Sequence, residues 1–165
     1  MLLGAKIFYL FSIDMHPIHL MPKPAGSACN LDCTYCYYLE KQKLYAASGR
    51  QEMSDELLEK YIHDYIATQP TDNVLFTWHG GEPLMRPMNF YERAMRLQEK
   101  QAQGKTIGNA LQTNGTLLTQ NWCNFLKDNN FLVGISIDGT QEMHDHYRIS
   151  RLGRGTWRQV MRGVE

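Results

Sequence analysis

The sequence predicts an α/β fold in which parallel strands alternate with helices, built as part of a (β/α) barrel. Three observations carry this. Stretches with a helical apolar period alternate with short apolar runs rich in β-branched residues, the pattern of βα units. The runs are apolar on both faces, as parallel strands covered by helices are. Each run also ends in a polar or glycine-rich signal, and parallel α/β folds gather their chemistry at such strand ends.

The elements follow in order. The opening MLLGAKIFYLFSIDM is far shorter than the roughly 20 residues that span a bilayer. It has a single Lys and no small-residue cleavage site after its apolar run, so it fits a signal peptide poorly. It reads instead as a strand, or as an extension ahead of a start at Met15. A first strand of the sheet is expected near Ile18 to Met21, and a cysteine-rich segment follows it. After a short polar stretch, KQKLYAASGRQE, Ser54 has the position of an N-cap, and Met53 and Leu58 have staple spacing. Leu57, Leu58, Tyr61, Ile62, Tyr65 and Ile66 continue that helix. VLFTW (Val74 to Trp78) reads as a buried strand, and a helix runs from about Met88 to Gln103, stopped by Gly104.

KTIGNALQT is the next strand, followed by a helix that Thr119 caps and whose Trp122, Phe125 and Leu126 face inward. FLVGISI (Phe131 to Ile137) is the clearest strand, and Thr156 opens a last helical pattern through Trp157, Val160, Met161 and Val164. About four βα units result. A complete eight-fold barrel needs about 250 residues, so the 165 here read as the front part of one. Such a part leaves a strand edge and apolar faces uncovered.

Composition narrows the class. The chain is 43% apolar and 21% charged, ordinary for a soluble globular protein. Lys plus Arg and Asp plus Glu are 17 each, so no net field argues for a nucleic acid or a membrane partner. Without an export signal, the cysteines are better read as a reduced cytoplasmic metal site than as disulfides.

Cys29, Cys33 and Cys36 lie within eight residues, and the fourth cysteine, Cys123, sits far away beside Trp122 and Leu126 as a core residue. Thiolates are the usual ligands of iron–sulfur clusters, and a four-iron cube takes four ligands. Three cysteines on one loop hold three irons and leave the fourth open to a small molecule. A structural zinc needs a fourth protein ligand, for which His16, His19 and Cys123 are the candidates.

The other strand ends add to this. Gly80 and Gly81 fit either a tight turn or close backbone approach to a ligand, and Glu82 beside them suits a cationic amine. Ser136 ends a strand and Asp138-Gly139 is a turn signal. Arg148 is either a solvated charge or a bidentate clamp for a carboxylate. His144 and His146 are two apart, which does not share a helix face, so they are not read as metal ligands.

In combination CNLDCTYCYY, FTWHGGEPL, LQTNGTLL, GISIDG, HDHYR and GRGTW resemble the radical S-adenosylmethionine (SAM) superfamily, and within it the anaerobic sulfatase-maturating enzymes among the SPASM-type peptide modifiers. The resemblance runs from about Met21 to the C-terminus. It implies that residues 1–20 are an extension with a first-strand region, and that residues 21–165 are the N-terminal part of a radical SAM core, with the auxiliary-cluster domain absent. It further implies that Cys29, Cys33 and Cys36 bind a [4Fe–4S] cluster whose open iron takes the amine and carboxylate of SAM. Tyr35 would lie beside the adenine, Gly80, Gly81 and Glu82 would receive the methionine amine, and Ser136 and Arg148 would be further SAM contacts. Thr113 is a weaker candidate, and Tyr38 would line the substrate side.

The implied activity is reductive cleavage of SAM, followed by oxidation of a Cys or Ser in a sulfatase polypeptide to formylglycine. A flavodoxin or ferredoxin would supply electrons. The general base of the family is expected beyond the C-terminus, and His79 stands where many relatives have Gln. The alternatives are a radical SAM modifier of another peptide, and a non-catalytic zinc-binding module.

Overall fold

The computed structural model describes residues 16–45 and 52–165. The opening MLLGAKIFYLFSIDM, read above as a strand or extension, lies outside them, as does much of the stretch after the cysteine segment. The elements in order are α1 (Tyr38–Tyr45), α2 (Asp55–Thr68), β1 (Asn73–Trp78), a 3₁₀ turn (Pro83–Met85), α3 (Met88–Gln101), β2 (Thr106–Thr113), α4 (Gln120–Asp128), β3 (Phe131–Ile135), α5 (Gln141–Tyr147) and α6 (Trp157–Val164). The sheet has the order β1-β2-β3 with both pairs parallel. Thr77 lies opposite Ala110, and Gln112 opposite Gly134.

The sequence signals act as expected at several ends. The Ser54 hydroxyl accepts the Leu57 N–H at 3.2 Å and caps α2, and Thr119 does the same for Trp122 on α4. Alternation along β1 sends Val74, Phe76 and Trp78 under the helices, where they join Leu58, Ile62, Phe90, Tyr91 and Leu126 in one core. Trp78 meets Tyr91 and Phe90 edge-on, with ring centroids 5.6 and 6.1 Å apart. Its Nε1–H donates to Asn109 Oδ1 at 2.9 Å, and Gln98 completes that buried polar contact from both sides. The opposite face of the sheet carries Leu75, Gly108, Ala110, Leu132 and Gly134. No helix among the described residues covers it, and Leu132 is 70% exposed.

One expectation needs correction. Among the described residues the sheet has three strands, not four: Ile18 to Met21 enters no ladder. The Gln69 side chain takes the place of a neighbouring strand, accepting from Ile18 N at 3.3 Å and donating to its carbonyl at 2.9 Å. The last helical pattern opens after Thr156 as expected; the Thr156 hydroxyl is turned elsewhere, and Asp145 Oδ1 accepts the Trp157 N–H at 2.8 Å.

Candidate functional site

The cysteine loop leads in along the end of β1. Pro22 accepts the His79 N–H at 3.0 Å, and the chain turns at Gly26. Gly26 then accepts from Gly81 N at 3.0 Å, and Ala28 from Glu82 N at 2.7 Å. This approach explains the glycine pair. Gly80 has φ +110°, and a Cβ on it would stand 2.7 Å from Lys23 Cβ. A Cβ on Gly81 would stand 2.0 Å from the Ala28 carbonyl oxygen. The backbone that comes close is therefore the chain's own cysteine loop.

Glu82 is fully buried. Its Oε1 accepts from Leu84 N at 3.0 Å and from the Thr113 hydroxyl at 2.7 Å, while Oε2 accepts from Asn114 N at 2.7 Å. The side chain ties the end of β1 to the end of β2, and its oxygens are engaged within the protein. Burial pushes its pKa up, and the three donors draw it back only part of the way. Thr113, a weaker candidate from sequence, is one leg of this bracket.

The three loop thiols are free, with Cys33 buried and Cys29 and Cys36 half-buried. Cys29 Sγ accepts from Leu31 N at 3.4 Å and from Asn114 Nδ2 at 3.7 Å. Burial raises the Cys33 pKa to about 11, against the pull of the Arg148 charge. Burial also raises Cys29, with the nearby Glu82 charge adding to it. The Cys29 and Cys36 thiols add to the raised pKa of Cys33. Among the described residues no three ligating side chains converge tightly enough for a single ion. Thiolates are the usual ligands of iron–sulfur clusters, and irons bound there would lower the pKa values of these three thiols. His16 and His19 lie exposed on the lead-in, and Cys123 is half-buried on α4.

The far wall comes from the segment after β3. Tyr35 donates its hydroxyl to Asp138 Oδ2 at 2.7 Å, and Arg148 Nε lies 3.0 Å from the same oxygen. The Arg148 guanidinium stands 5.5 Å from the Tyr35 ring centroid, and the Tyr147 ring lies 5.9 Å away. Burial raises the Asp138 pKa, but the Arg148 pairing and the Tyr35 hydrogen bond outweigh it and leave it lowered. Thr34 N donates to Tyr147 O and Asp32 N to Ile149 O, each at 2.9 Å, which fastens the loop to this wall. Ser136 Oγ accepts from Gln112 Nε2 at 2.9 Å, at the neighbouring strand end. Tyr38 instead starts α1 with its hydroxyl on Lys23.

Sequence reading missed Asp138, masked as a turn signal, and Asn114. Asn114 Nδ2 donates to Asn30 Oδ1 at 2.9 Å, and Asn30 reaches Thr116 Oγ1 at 2.8 Å, so a polar ladder runs beside Cys29. The signal was present in LQTNGT, where polar side chains crowd one strand end.

An open parallel sheet with three free cysteines on its first loop defines a class of SAM-dependent iron–sulfur proteins, and the chain belongs to the radical SAM superfamily, whose family pattern matches residues 24–165. This superfamily uses a [4Fe–4S] cluster and SAM. The chain is 57% identical over 148 residues to the serine-type anaerobic sulfatase-maturating enzyme of Bacteroides thetaiotaomicron, covering 90% of this chain and 36% of that one. It is 40% identical over 152 residues to the cysteine-type enzyme of Clostridium perfringens, covering 92% of this chain and 41% of the other. A solved structure of native anSMEcpe with bound AdoMet and Cp18Cys peptide superposes with a TM-score of 0.80 at 38% identity, covering 90% of this chain and 39% of that chain. The chain thus spans about two-fifths of the length of these relatives. No helix among the described residues is long and apolar enough to cross a membrane.

Proposed function

We propose that the chain carries the SAM-cleaving site of an enzyme that oxidises a Cys or Ser of a sulfatase polypeptide to formylglycine, drawing electrons from a flavodoxin or ferredoxin. Residues 21–165 form the front of its barrel. The observation that carries the reading is the trio Cys29, Cys33 and Cys36 on a loop locked to Gly80-Gly81 and facing Arg148. When bound, the cluster and SAM supply a 5′-deoxyadenosyl radical that removes a hydrogen from the β-carbon of the target residue.

The chain's own residues bind and orient. Cys29, Cys33 and Cys36 ligate three irons. The exposed face of Tyr35 receives the adenine, and Arg148, its side chain 16% exposed beside Asp138, meets the carboxylate of SAM. The backbone of Gly80 and Gly81 faces the amine, while Glu82 holds that backbone in place and adds a negative charge behind it. Ser136 completes the polar wall at the third strand end.

A chimera tests the substrate assignment. The matching residues of the Bacteroides relative are replaced by those of this chain, and the product is loaded with iron and sulfide without oxygen. Mass spectrometry of a sulfatase peptide should show formylglycine at the Cys or Ser. A chimera that cleaves SAM but leaves both peptides unchanged overturns the sulfatase assignment and favours another peptide substrate.

A further inference from the structure

His144 on α5 is fully buried, and the site described above gives it no task. Both of its ring nitrogens are engaged. Nδ1 lies 3.4 Å from Asp138 N, and Nε2 lies 3.1 Å from Thr156 Oγ1. A backbone amide only donates, so Nδ1 is the acceptor and carries no proton. The ring proton is therefore on Nε2 and points to Thr156 Oγ1. The Thr156 hydroxyl in turn donates to the Arg148 carbonyl at 2.8 Å. One fixed donor thus sets the direction of the whole chain, from Asp138 N–H through His144 and Thr156 to the Arg148 backbone.

Both ends of this chain are residues of the wall that faces the cysteine loop. A second tie reinforces it: Arg148 N donates to the His144 carbonyl at 2.7 Å. Helix capping is a separate matter, since the neighbouring Asp145 accepts the Trp157 N–H. The Trp157 ring closes the pocket edge-on, 5.4 Å from the His144 ring.

We propose that His144 is a positioning residue which, as the neutral Nε2–H tautomer, fixes Arg148 against Asp138 and so sets how tightly the site takes the carboxylate of SAM. This rests on the reading that Arg148 meets that carboxylate. The charged groups facing the ring are Arg148, Asp138 and Asp145. Protonation would set an N–H on Nδ1 against the Asp138 N–H, donor against donor, and break the chain at its fixed end.

Two measurements test it. Nitrogen-15 spectra of histidine-labelled, metal-free protein should show His144 with a protonated Nε2 and a bare Nδ1; the opposite tautomer overturns the proposal. SAM affinity is then measured by calorimetry on the cluster-loaded protein without oxygen. Thr156→Val, which removes the link but keeps the shape, should weaken SAM by about tenfold, whereas Thr156→Ser stays within about twofold of the parent. Arg148→Ala should weaken it at least as much as Thr156→Val. Unchanged binding in Arg148→Ala defeats the underlying reading of Arg148. Weakened binding in Arg148→Ala with equal binding in the Val and Ser variants defeats the positioning role alone.

Discussion

The cysteine loop is held at two places by different means. At its lead-in, Gly81 N and Glu82 N donate to the loop backbone, and a Cβ on Gly81 would overlap the Ala28 carbonyl. At its far end, the side chains of Tyr35, Asp138 and Arg148 meet in a half-exposed cluster. Backbone packed on backbone admits one geometry, whereas side chains on a partly wetted wall can shift to admit a ligand. The first anchorage thus sets where the thiols stand, and the second shapes what they face.

Substitutions should separate the two anchorages. Gly81→Ala should be the most damaging, lowering stability by about 3 kcal/mol or more in denaturant titrations, because carbonyl atoms must move to admit the methyl group. Glu82→Gln should cost about 2–3 kcal/mol by the same measurement, since the amide NH₂ would confront either the Asn114 N–H or the Leu84 N–H. Tyr35→Phe removes one hydrogen bond from a half-exposed residue and should cost less than about 1 kcal/mol, while Tyr35→Ala should weaken SAM binding with little effect on stability. Equal losses at Gly81 and Tyr35 would erase the distinction.

A pH effect, smaller again, is expected from two histidines. Burial lowers the pKa of His144 and of His79, with the charge of Arg148 adding for the first and that of Lys23 for the second. The unfolded chain takes up these protons near the ordinary value of about 6.5, before the folded one does. Stability from both groups is therefore full above that pH and declines as pH falls below it. Thermal melts from neutral to mildly acidic pH should show the decline, and His144→Gln should flatten it.

Much of this was legible in sequence where the cause is local. The Ser54 cap, the VLFTW strand and the cysteine triplet each depend on neighbours a few residues away. What escaped depends on distant partners. The backbone of Ile18 is bound by the side chain of Gln69, 51 residues on, in place of a neighbouring strand, and no local pattern announces that. The hydrogen bonds that Thr113 and Asn114, more than 30 residues away, give to the Glu82 oxygens likewise have no local signal. The spacing of His144 and His146 reads only as one that does not share a helix face, and the helix α5 on which they lie is short and capped by Thr140. The two glycines fit either a tight turn or a close approach to a ligand in sequence, and the group that comes close to them in the fold is the cysteine loop itself.

Anaerobic loading with iron and sulfide tests the central assignment most directly. The account predicts a brown protein with about four irons per chain, whose reduced cluster signal in electron paramagnetic resonance changes when SAM is added. Cys33→Ala should abolish that cluster and Cys123→Ala should leave it. A colourless protein that binds one zinc and ignores SAM would contradict the account.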